Sequence, residues 1–262
     1  MKFSIIGTGF IMPRHVDAIN KVGGKIRNIV NDAYNDKDWE TMVEKTDADY
    51  IVILTPNDLH FEMILKSLEQ GKKVLCEKPL VVNYSHAKEL VKLDENNIFT
   101  VLQLRYHPLV NKMKSEIGEG KHDIEIDISV YRDQKYHNGW KGRRERSGGI
   151  CFNLGIHYFD TFLCLFGKPE KTTTSLLADR VAEGTMESDN YNCRWRVSTN
   201  EKRETQRRLF KIDGKEYNFS SQDNLSYENL HHFVYRDLLK GKGLSSAEAL
   251  KSIELVEALY NN

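Results

Sequence analysis

The first hundred residues alternate short apolar runs with stretches of helical periodicity. Strands are predicted at the apolar runs 3–6, 26–30, 50–54, 74–76 and 98–102. Helices are predicted between them over 13–22, over 39–45, from residue 60 towards Gly71, and from Ser85 as N-cap to about residue 96. Because strands and helices alternate, the pattern predicts an α/β domain with a parallel sheet and crossover connections.

The pattern changes after Pro108. Ile124, Ile126 and Ile128 alternate with polar residues, which predicts a strand with one buried face. Further strands are predicted near 172–177, 191–197, 209–212 and 216–219, and helices over 153–166, 227–239 and 246–259. These elements predict a second domain of the α+β class, with a large, mostly antiparallel sheet and helices against one of its faces.

Composition excludes several classes of protein. The 262 residues include 38 Lys plus Arg and 38 Asp plus Glu, so no net charge points to nucleic acid. The four cysteines have apolar neighbours and form no C-x-x-C pair, which favours free core thiols in a reducing compartment. No apolar stretch reaches the roughly 18 residues of a membrane span. We expect a cytoplasmic protein without a metal ion, a nucleic-acid partner or membrane contact.

A glycine-rich loop, Gly7-Thr8-Gly9-Phe10-Ile11-Met12, follows the first predicted strand and opens a helix. Its first glycine permits a tight turn, and its second lets the backbone approach a pyrophosphate held on the helix N-terminal amides. Met12 stands where a third glycine is usual, and a purely structural turn is the alternative. Asp32, after the second strand, suits an adenosine ribose and favours NAD over NADP, but it fits a plain turn equally well.

The segment between Asp32 and Trp39 is too short for the helix and third strand that usually follow in a dinucleotide-binding domain. The sequence therefore predicts a trimmed N-terminal Rossmann domain, doubly wound but smaller than usual. We place this domain at residues 1–107 and the α+β domain, for substrate binding and oligomerisation, at 108–262.

Three polar loops follow parallel strands, at the sheet edge where ligands bind in such domains. They are Thr55-Pro56-Asn57-Asp58-Leu59-His60, Glu77-Lys78-Pro79 and the segment around Arg105. Lys78 can donate a hydrogen bond to a substrate hydroxyl and lower its pKa, and Arg105 can bind a phosphate or carboxylate. Ordinary polar loops and a surface arginine are the alternatives.

The second domain holds the candidate base. Asn153 and His157 follow Gly148-Gly149 and are four residues apart, so they share a face of the predicted helix. The ordinary pKa of histidine lies near working pH, which suits His157 to general-base chemistry, although a structural helix histidine is the alternative. Upstream, the segment 140–146 sets four cations beside an aromatic ring, as either a solvated loop or a diphosphate-binding loop.

Glu77-Lys78-Pro79 and the pattern from Gly148 to Asp160 together resemble the signatures of the glucose-fructose oxidoreductase, inositol dehydrogenase and rhizopine-catabolism (Gfo/Idh/MocA) family. The resemblance covers essentially the whole chain, apart from the missing helix and strand. Within the family the chain looks closest to the UDP-N-acetylglucosaminuronate 3-dehydrogenases of surface-polysaccharide synthesis. The stretches that carry this closer resemblance are 9–15, 102–105, 140–142, 153–160 and 238–243.

The resemblance implies an NAD-dependent dehydrogenase that oxidises the C3 hydroxyl of a UDP-sugar, with Lys78 and His157 as catalytic residues. The implied cofactor-binding residues are Gly7, Gly9, Phe10, Ile11, Asp32, Thr55, Pro56, Asn57, His60, Glu77, Lys78, Arg105, Trp140 and Lys141. The implied substrate-binding residues are Lys78, Arg105, Arg143, Asn153 and His157.

Two other functions stay open at this point. One is an inositol or free-sugar dehydrogenase of the same family. The other is a non-catalytic dinucleotide-binding sensor, suggested by Met12 and the trimmed domain, although the presence of both Lys78 and His157 argues for an enzyme. Because one face of the predicted second sheet lacks helical cover, we also expect that apolar residues there are buried between subunits of a homodimer or homotetramer.

Overall fold

The computed structural model describes residues 1–31, 38–220 and 230–261, and it divides the chain into two compact units. The first unit comprises Met1–Gln103 and Tyr227–Leu250, and the second comprises Leu104–Ser226 and Lys251–Asn262. The expected boundary at 107/108 lies near the first crossing between the units, but the sequence does not reveal that a C-terminal segment returns to the first. The assignment of cofactor binding to 1–107 and of substrate binding to 108–262 stays a prediction.

A parallel sheet of five strands forms the centre of the described part of the first unit. The strands are β1 (Lys2–Ile6), β2 (Lys25–Val30), β3 (Tyr50–Ile53), β4 (Lys73–Cys76) and β5 (Ile98–Thr100), in the order β2-β1-β3-β4-β5. The helices are α1 (Met12–Lys21), α2 (Asp38–Lys45), α3 (His60–Glu69), α4 (Tyr84–Asp94) and α9 (His231–Leu239). The expected parallel sheet is confirmed, and β3, its middle strand, is buried at every position.

The sheet ends at β2, as expected for a domain that lacks the helix and strand usually found beside it. Every residue of β2 is at least partly exposed, and 43% of Ile29 is accessible to solvent. The segment 32–37, which contains Asp32, lies outside the described residues. The predicted contact of Asp32 with a ribose therefore stays a prediction.

Helix α4 begins earlier than predicted, and Asn83 is its N-cap. The Asn83 side-chain oxygen accepts hydrogen bonds from the backbone N–H groups of Ser85, at 2.8 Å, and His86, at 3.2 Å. The prediction that Ser85 caps this helix is wrong, because the asparagine two residues upstream reaches the free amides of the first turn.

The described part of the second unit contains a sheet of six strands. They are β6 (His122–Ser129), β7 (Lys171–Ala178), β8 (Val181–Ser188), β9 (Tyr191–Ser198), β10 (Arg207–Ile212) and β11 (Lys215–Asn218), in the order β11-β10-β6-β9-β8-β7. The β6–β9 pair is parallel and the other pairs are antiparallel, which confirms the expected mostly antiparallel sheet. The sequence does not predict β8, because Glu183, Gly184 and Glu187 weaken its apolar alternation.

The main helix of the second unit starts with an irregular turn. The helices are α5 (Pro108–Glu116), α6 (Gln134–Asn138), α7 (Arg144–Ser147) and α8 (Ile156–Phe166), with a π-helical stretch, Cys151–Gly155, before α8. The prediction of one continuous α-helix over 153–166 is therefore wrong at its start. Asn153 lies in the π-helical stretch and His157 in α8, so α-helical spacing does not relate their side chains. Short π-helical turns of this kind occur often at functional sites.

The two faces of the second sheet differ in polarity. Ile124, Ile126 and Ile128 of β6 are fully buried, whereas Asp123, Glu125 and Asp127, which alternate with them, are at least partly exposed. On the outward face Arg207 contacts Asp127 at 2.7 Å, and Arg196 of β9 pairs with Glu183 of β8. The outward side of β6 is thus charged, whereas Leu176 of the edge strand β7 is 41% exposed. The expectation that apolar residues of this sheet are buried between subunits stays a prediction.

One helical run of the described chain, Arg144–Phe166, is long and apolar enough to cross a membrane by length and composition. Inside the molecule 61% of its most apolar window is buried. Phe159 and Phe162, in its second half, have no exposed surface. This burial is typical of the core helix of a globular protein.

Candidate active site

The glycine-rich loop leaves β1 in a conformation that requires glycine at its first position. Gly7 has a φ of +105°, and a Cβ atom there would lie 2.7 Å from the Leu54 carbonyl oxygen. A Cβ atom at Gly9 would meet no atom of the described residues within 4 Å. The loop therefore keeps open space beside its second glycine, where the sequence predicts a pyrophosphate.

Helix α1 starts directly after this loop, and the backbone N–H groups of Met12 and Arg14 donate to the carbonyl oxygens of Gly9 and Ile11, each at 3.1 Å. Ile11 occupies the N-cap without a side-chain cap, Pro13 lies in the first turn, and the first turn contains no acidic residue. The positive end of the helix dipole favours an anion at this position. Phe10, beside the open space, is 71% exposed, which is unusual for an apolar residue of this size.

His60 joins the two loops that follow β3 and β4. Its Nδ1 lies 2.9 Å from the Pro79 carbonyl oxygen and its Nε2 lies 3.1 Å from the Thr55 carbonyl oxygen. The ring has no exposed surface, and burial lowers the pKa of His60. The side chain holds the Thr55 loop to the Pro79 loop, and a contact between His60 and a cofactor stays a prediction.

Glu77 turns its carboxylate into the first unit. Oε1 lies 2.9 Å from His15 Nε2, and Oε2 accepts a hydrogen bond from the backbone N–H of Lys78 at 3.2 Å. Burial alone raises the pKa of Glu77, but the contacts with His15 and His231 outweigh it and hold that pKa well below its usual range. Glu77 is 9% exposed and contacts His15 inside the first unit, and its predicted place beside the nicotinamide stays a prediction.

The remaining implied residues of the first unit lie at the expected sheet edge. Thr55 and Asn57 follow β3 and are nearly buried, and Lys78, partly exposed, follows β4 with a cis peptide bond to Pro79. The carboxyl ends of β1, β3 and β4 thus bring Gly7, the Thr55 loop and Lys78 to one edge of the parallel sheet. This is the edge at which dinucleotides bind in doubly wound folds.

In the second unit, Arg105 is held by a carboxylate. Its Nε and Nη2 donate to the two oxygens of Asp160 at 2.8 and 2.7 Å. Asp160 is 1% exposed, and Ser252 Oγ also donates to it, at 3.4 Å. The structure gives Arg105 a buried bidentate ion pair, and a contact between Arg105 and a ligand stays a prediction.

Asn153 fixes the basic loop of the second unit. Its Nδ2 donates to the Tyr136 hydroxyl at 2.7 Å and lies 3.5 Å from the Lys141 carbonyl oxygen. Gly142 makes the loop turn possible, since a Cβ there would lie 2.0 Å from the His137 carbonyl oxygen. Asn153 therefore positions the segment that carries Trp140 and Lys141.

This segment borders an open hollow of about 540 Å³ within the second unit. Lys141 and Arg144 line the hollow with Tyr136, Ser147 and Tyr260, and Asp179 is its one acidic lining residue. The Lys141 ammonium lies 5.5 Å from the centre of the Trp140 ring, and the Arg144 guanidinium lies 4.6 Å from that of Tyr260. Two cations against one acid make the hollow suited to an anion.

His157 occupies the first turn of α8 and is partly exposed. Arg143, the other implied substrate ligand of this unit, is exposed. Lys78 belongs to the first unit, and His157, Asn153 and Arg143 belong to the second. Their joint action on one substrate is therefore a prediction.

Comparison with known proteins decides the family. Residues 26–102 match the profile of the oxidoreductase family with an NAD-binding Rossmann fold, and residues 116–193 match that of its C-terminal alpha/beta domain. The two matches together cover more than half of the chain. The chain belongs to the Gfo/Idh/MocA family.

Several known proteins are similar to this Gfo/Idh/MocA chain. The crystal structure of the WlbA (WbpB) dehydrogenase from Thermus thermophilus in complex with NAD and UDP-GlcNAcA is 29% identical, with a TM-score of 0.85 over 100% of this chain and 95% of that one. The WlbA dehydrogenase from Bordetella pertussis in complex with NADH and UDP-GlcNAcA shares the fold at 20% identity, with a TM-score of 0.84 over 99% and 95% of the two chains.

Among curated relatives, an uncharacterized oxidoreductase of Schizosaccharomyces pombe is 31% identical over 147 residues. This match covers 54% of the Gfo/Idh/MocA chain and 40% of the relative. The aligned part therefore spans less than half of that relative's length.

The sequence does not predict three contacts that the structure of this Gfo/Idh/MocA chain contains. His15 of α1 and His231 of α9 both approach Glu77, and Tyr235 contacts the other nitrogen of His15. His15 stands four residues after Ile11, so its position near the glycine loop was visible. No local signal shows that α9, more than 200 residues later, packs beside α1.

Proposed function

We propose that this chain is an NAD-dependent dehydrogenase that oxidises the C3 hydroxyl of a UDP-sugar such as UDP-N-acetylglucosaminuronate. The observation that carries the proposal is the likeness to the Thermus thermophilus enzyme in complex with NAD and UDP-GlcNAcA, at 29% identity over the full length of this chain. The reaction belongs to the supply of sugars for surface polysaccharides. We place it in the cytoplasm, because the four cysteines are free thiols and such thiols persist in a reducing compartment.

The glycine loop of the first unit fits the pyrophosphate of NAD. The positive φ of Gly7 shapes the turn, the space beside Gly9 is open among the described residues, and the first turn of α1 contains no acidic residue that would oppose an anion. When bound, NAD supplies the hydride acceptor. Asp32, which follows β2 in the sequence, supports a preference for NAD over NADP, since a carboxylate repels a 2′-phosphate.

Two side chains serve the reacting hydroxyl in this proposal. His157 takes the hydroxyl proton at a ring nitrogen, while the hydrogen on C3 leaves with its electron pair and C3 becomes a carbonyl carbon. Lys78 donates a hydrogen bond to the hydroxyl oxygen and stabilises the negative charge that develops on it. The proton ends on His157 and the hydride on the nicotinamide, so the sugar loses two electrons and two hydrogens.

The second unit supplies the recognition of an anionic sugar nucleotide. Lys141 and Arg144 line the open hollow, and the exposed Arg143 lies between them in sequence. A UDP-sugar has two phosphate charges, and its acidic form has a carboxylate as well. A basic loop held in place by Asn153 suits such a ligand better than a neutral polyol.

Single-turnover formation of NADH with UDP-N-acetylglucosaminuronate tests the proposal. Replacing Lys78 or His157 by alanine should slow hydride transfer by ~10²–10⁴ and leave NAD affinity, measured by calorimetric titration, close to that of the parent. Lys88→Ala, which removes an exposed lysine of α4, is the matched control and should react like the parent.

Other outcomes separate the remaining functions. NADH formation with inositol or a free sugar, but with no UDP-sugar, would reassign the chain to that branch of the family. Binding of NAD without turnover on any UDP-sugar or polyol would support a non-catalytic sensor. Parent-like rates in both alanine variants would refute the roles of Lys78 and His157, and exclusive binding of NADP would refute the cofactor preference.

A further inference from the structure

Three titratable side chains from distant parts of the chain meet inside the first unit. They are His15 of α1, Glu77 after β4 and His231 of α9, and we refer to them as the His15–Glu77–His231 cluster. Their exposed fractions are 0%, 9% and 1%. The proposed dehydrogenase reaction uses none of the three, so their convergence needs its own physical explanation.

The donor atoms of the cluster lie close enough to share one ion. Glu77 Oε1 is 2.9 Å from His15 Nε2 and 3.6 Å from His231 Nε2, and the donor atoms all lie within 4.8 Å of one another. Zinc bonds to nitrogen and oxygen of about 2.0–2.2 Å place two ligands of a tetrahedral ion about 3.4 Å apart. The two Glu77 distances fall on either side of this value.

The ring nitrogens of His231 are buried polar atoms of the kind that ordinarily form hydrogen bonds. Neither of its ring nitrogens has a hydrogen-bond partner among the described residues, although the side chain is 1% exposed. The 3.6 Å separation from Glu77 is longer than a hydrogen bond. A buried polar group without a partner typically costs ~1–3 kcal/mol, and a cation at Nε2 would remove that cost for one of the two nitrogens.

The Tyr235 hydroxyl fixes the orientation of the His15 ring within the cluster. His15 Nδ1 lies 2.8 Å from the Tyr235 hydroxyl, and a proton donated there leaves the lone pair of Nε2 directed at Glu77. Neutral imidazoles and a carboxylate are the forms that bind divalent metals.

We propose that the His15–Glu77–His231 cluster binds a structural divalent metal ion of the zinc class, with His15 Nε2, Glu77 Oε1 and His231 Nε2 as protein ligands. Two imidazoles and one carboxylate suit zinc better than the oxygen-seeking calcium or magnesium ions. The site revises the expectation, drawn from the cysteines, that the chain has no metal. The proposal does not depend on the substrate or on turnover.

The place of the cluster in the fold explains what such an ion does. The C-terminal segment that carries His231 joins the first unit after an excursion of more than 100 residues through the second. A link that closes a long loop removes much of the freedom of the unfolded chain. The first unit also lacks one helix and strand of the usual domain, and small cores gain most from a metal. The ion fastens α9 to α1 and to the loop after β4.

Metal analysis of the untagged, full-length protein tests the proposal. After expression with added zinc and desalting, mass spectrometry should find about one zinc per chain, and cobalt added to stripped protein should produce visible absorption bands of a four-coordinate site. His231→Ala and Glu77→Gln should each lose most of the metal. His232→Ala, on the same helix but outside the cluster, is the matched control and should retain it.

Thermal unfolding gives a second readout that does not depend on variants. A chelator should lower the unfolding midpoint of the parent and of His232→Ala, and should not change that of a folded His231→Ala protein, because only a bound ion adds its binding free energy to the folded state. Parent protein with no zinc and no cobalt bands would overturn the proposal and leave a metal-free hydrogen-bonded cluster. Undiminished zinc in His231→Ala would also overturn it.

Discussion

At the scale of single residues, the two glycines of the β1–α1 loop differ in how much space a side chain would have. Any other residue at position 7 would need a backbone φ of +105°, and its Cβ atom would collide with the Leu54 carbonyl oxygen. A Cβ atom at Gly9 would meet no described atom within 4 Å. The fold therefore requires the first glycine. No described residue requires a glycine at the second position, and a pyrophosphate beside Gly9 stays the prediction that explains it.

Substitution by alanine should separate these two roles. Gly7→Ala should lower the free energy of unfolding by about 1–3 kcal/mol, because the strained backbone and the clash with Leu54 act together. Gly9→Ala should leave the free energy of unfolding within about 0.5 kcal/mol of the parent but weaken NAD binding. Urea denaturation and calorimetric titration measure the two effects. Unchanged NAD affinity in Gly9→Ala would argue against a pyrophosphate at this loop.

At the scale of helices and strands, α4 shows how a cap is chosen. The Asn83 side chain accepts from two first-turn amides, while Ser85, the cap expected from the sequence, donates its own amide to Asn83. Asn83→Ala should therefore lower the free energy of unfolding by about 0.5–2 kcal/mol, and Ser85→Ala by about 0.5 kcal/mol or less. Chemical denaturation of both variants checks this, and the reverse order of losses would restore Ser85 as the cap.

The elements that the sequence predicts share a strong local signal. The runs that became β1, β3 and β4 are short, apolar and bounded by glycine or polar loops, so their burial follows from composition. Strand β8 contains Glu183 and Gly184, so its sequence lacks a clear strand pattern. It pairs with β7 and β9, and the sequence of β8 alone does not predict this pairing. The π-helical stretch Cys151–Gly155 also escapes prediction, since its residues are compatible with an ordinary α-helix.

Some parts of the candidate site could likewise be predicted from the sequence, and others could not. The glycine loop and the Lys78 loop follow strands and could be found from the sequence alone. The inward roles of His60 and Glu77 could not, because their partners are backbone carbonyls and histidines brought close only by folding. Arg105 likewise looks like a ligand-binding cation until Asp160, 55 residues later, is seen to hold it.

At the scale of the whole molecule, the outward face of the second sheet bears on assembly. Neighbouring strands set opposite charges side by side: Glu125 lies opposite Arg194, and Arg196 lies between Asp127 and Glu183. In a two-fold symmetric dimer this patch would meet itself, and rows of mixed sign allow each charge to face an opposite one. We therefore predict a homodimer or homotetramer in which this charged face is buried between subunits.

An interface of this composition should respond to salt. The screening length falls from about 8 Å at physiological ionic strength to about 3 Å at 1 M, so exposed pairs across the interface weaken. We expect light scattering to give a dimeric or tetrameric mass at low salt and a smaller mass at high salt.

Arg196→Glu should reduce the mass at low salt, because it places a third negative charge beside Asp127 and Glu183. Lys92→Glu, an equal charge reversal on the exposed side of α4, should not change it. A monomeric mass at both salt concentrations would show that the charged rows stabilise only the sheet to which they belong.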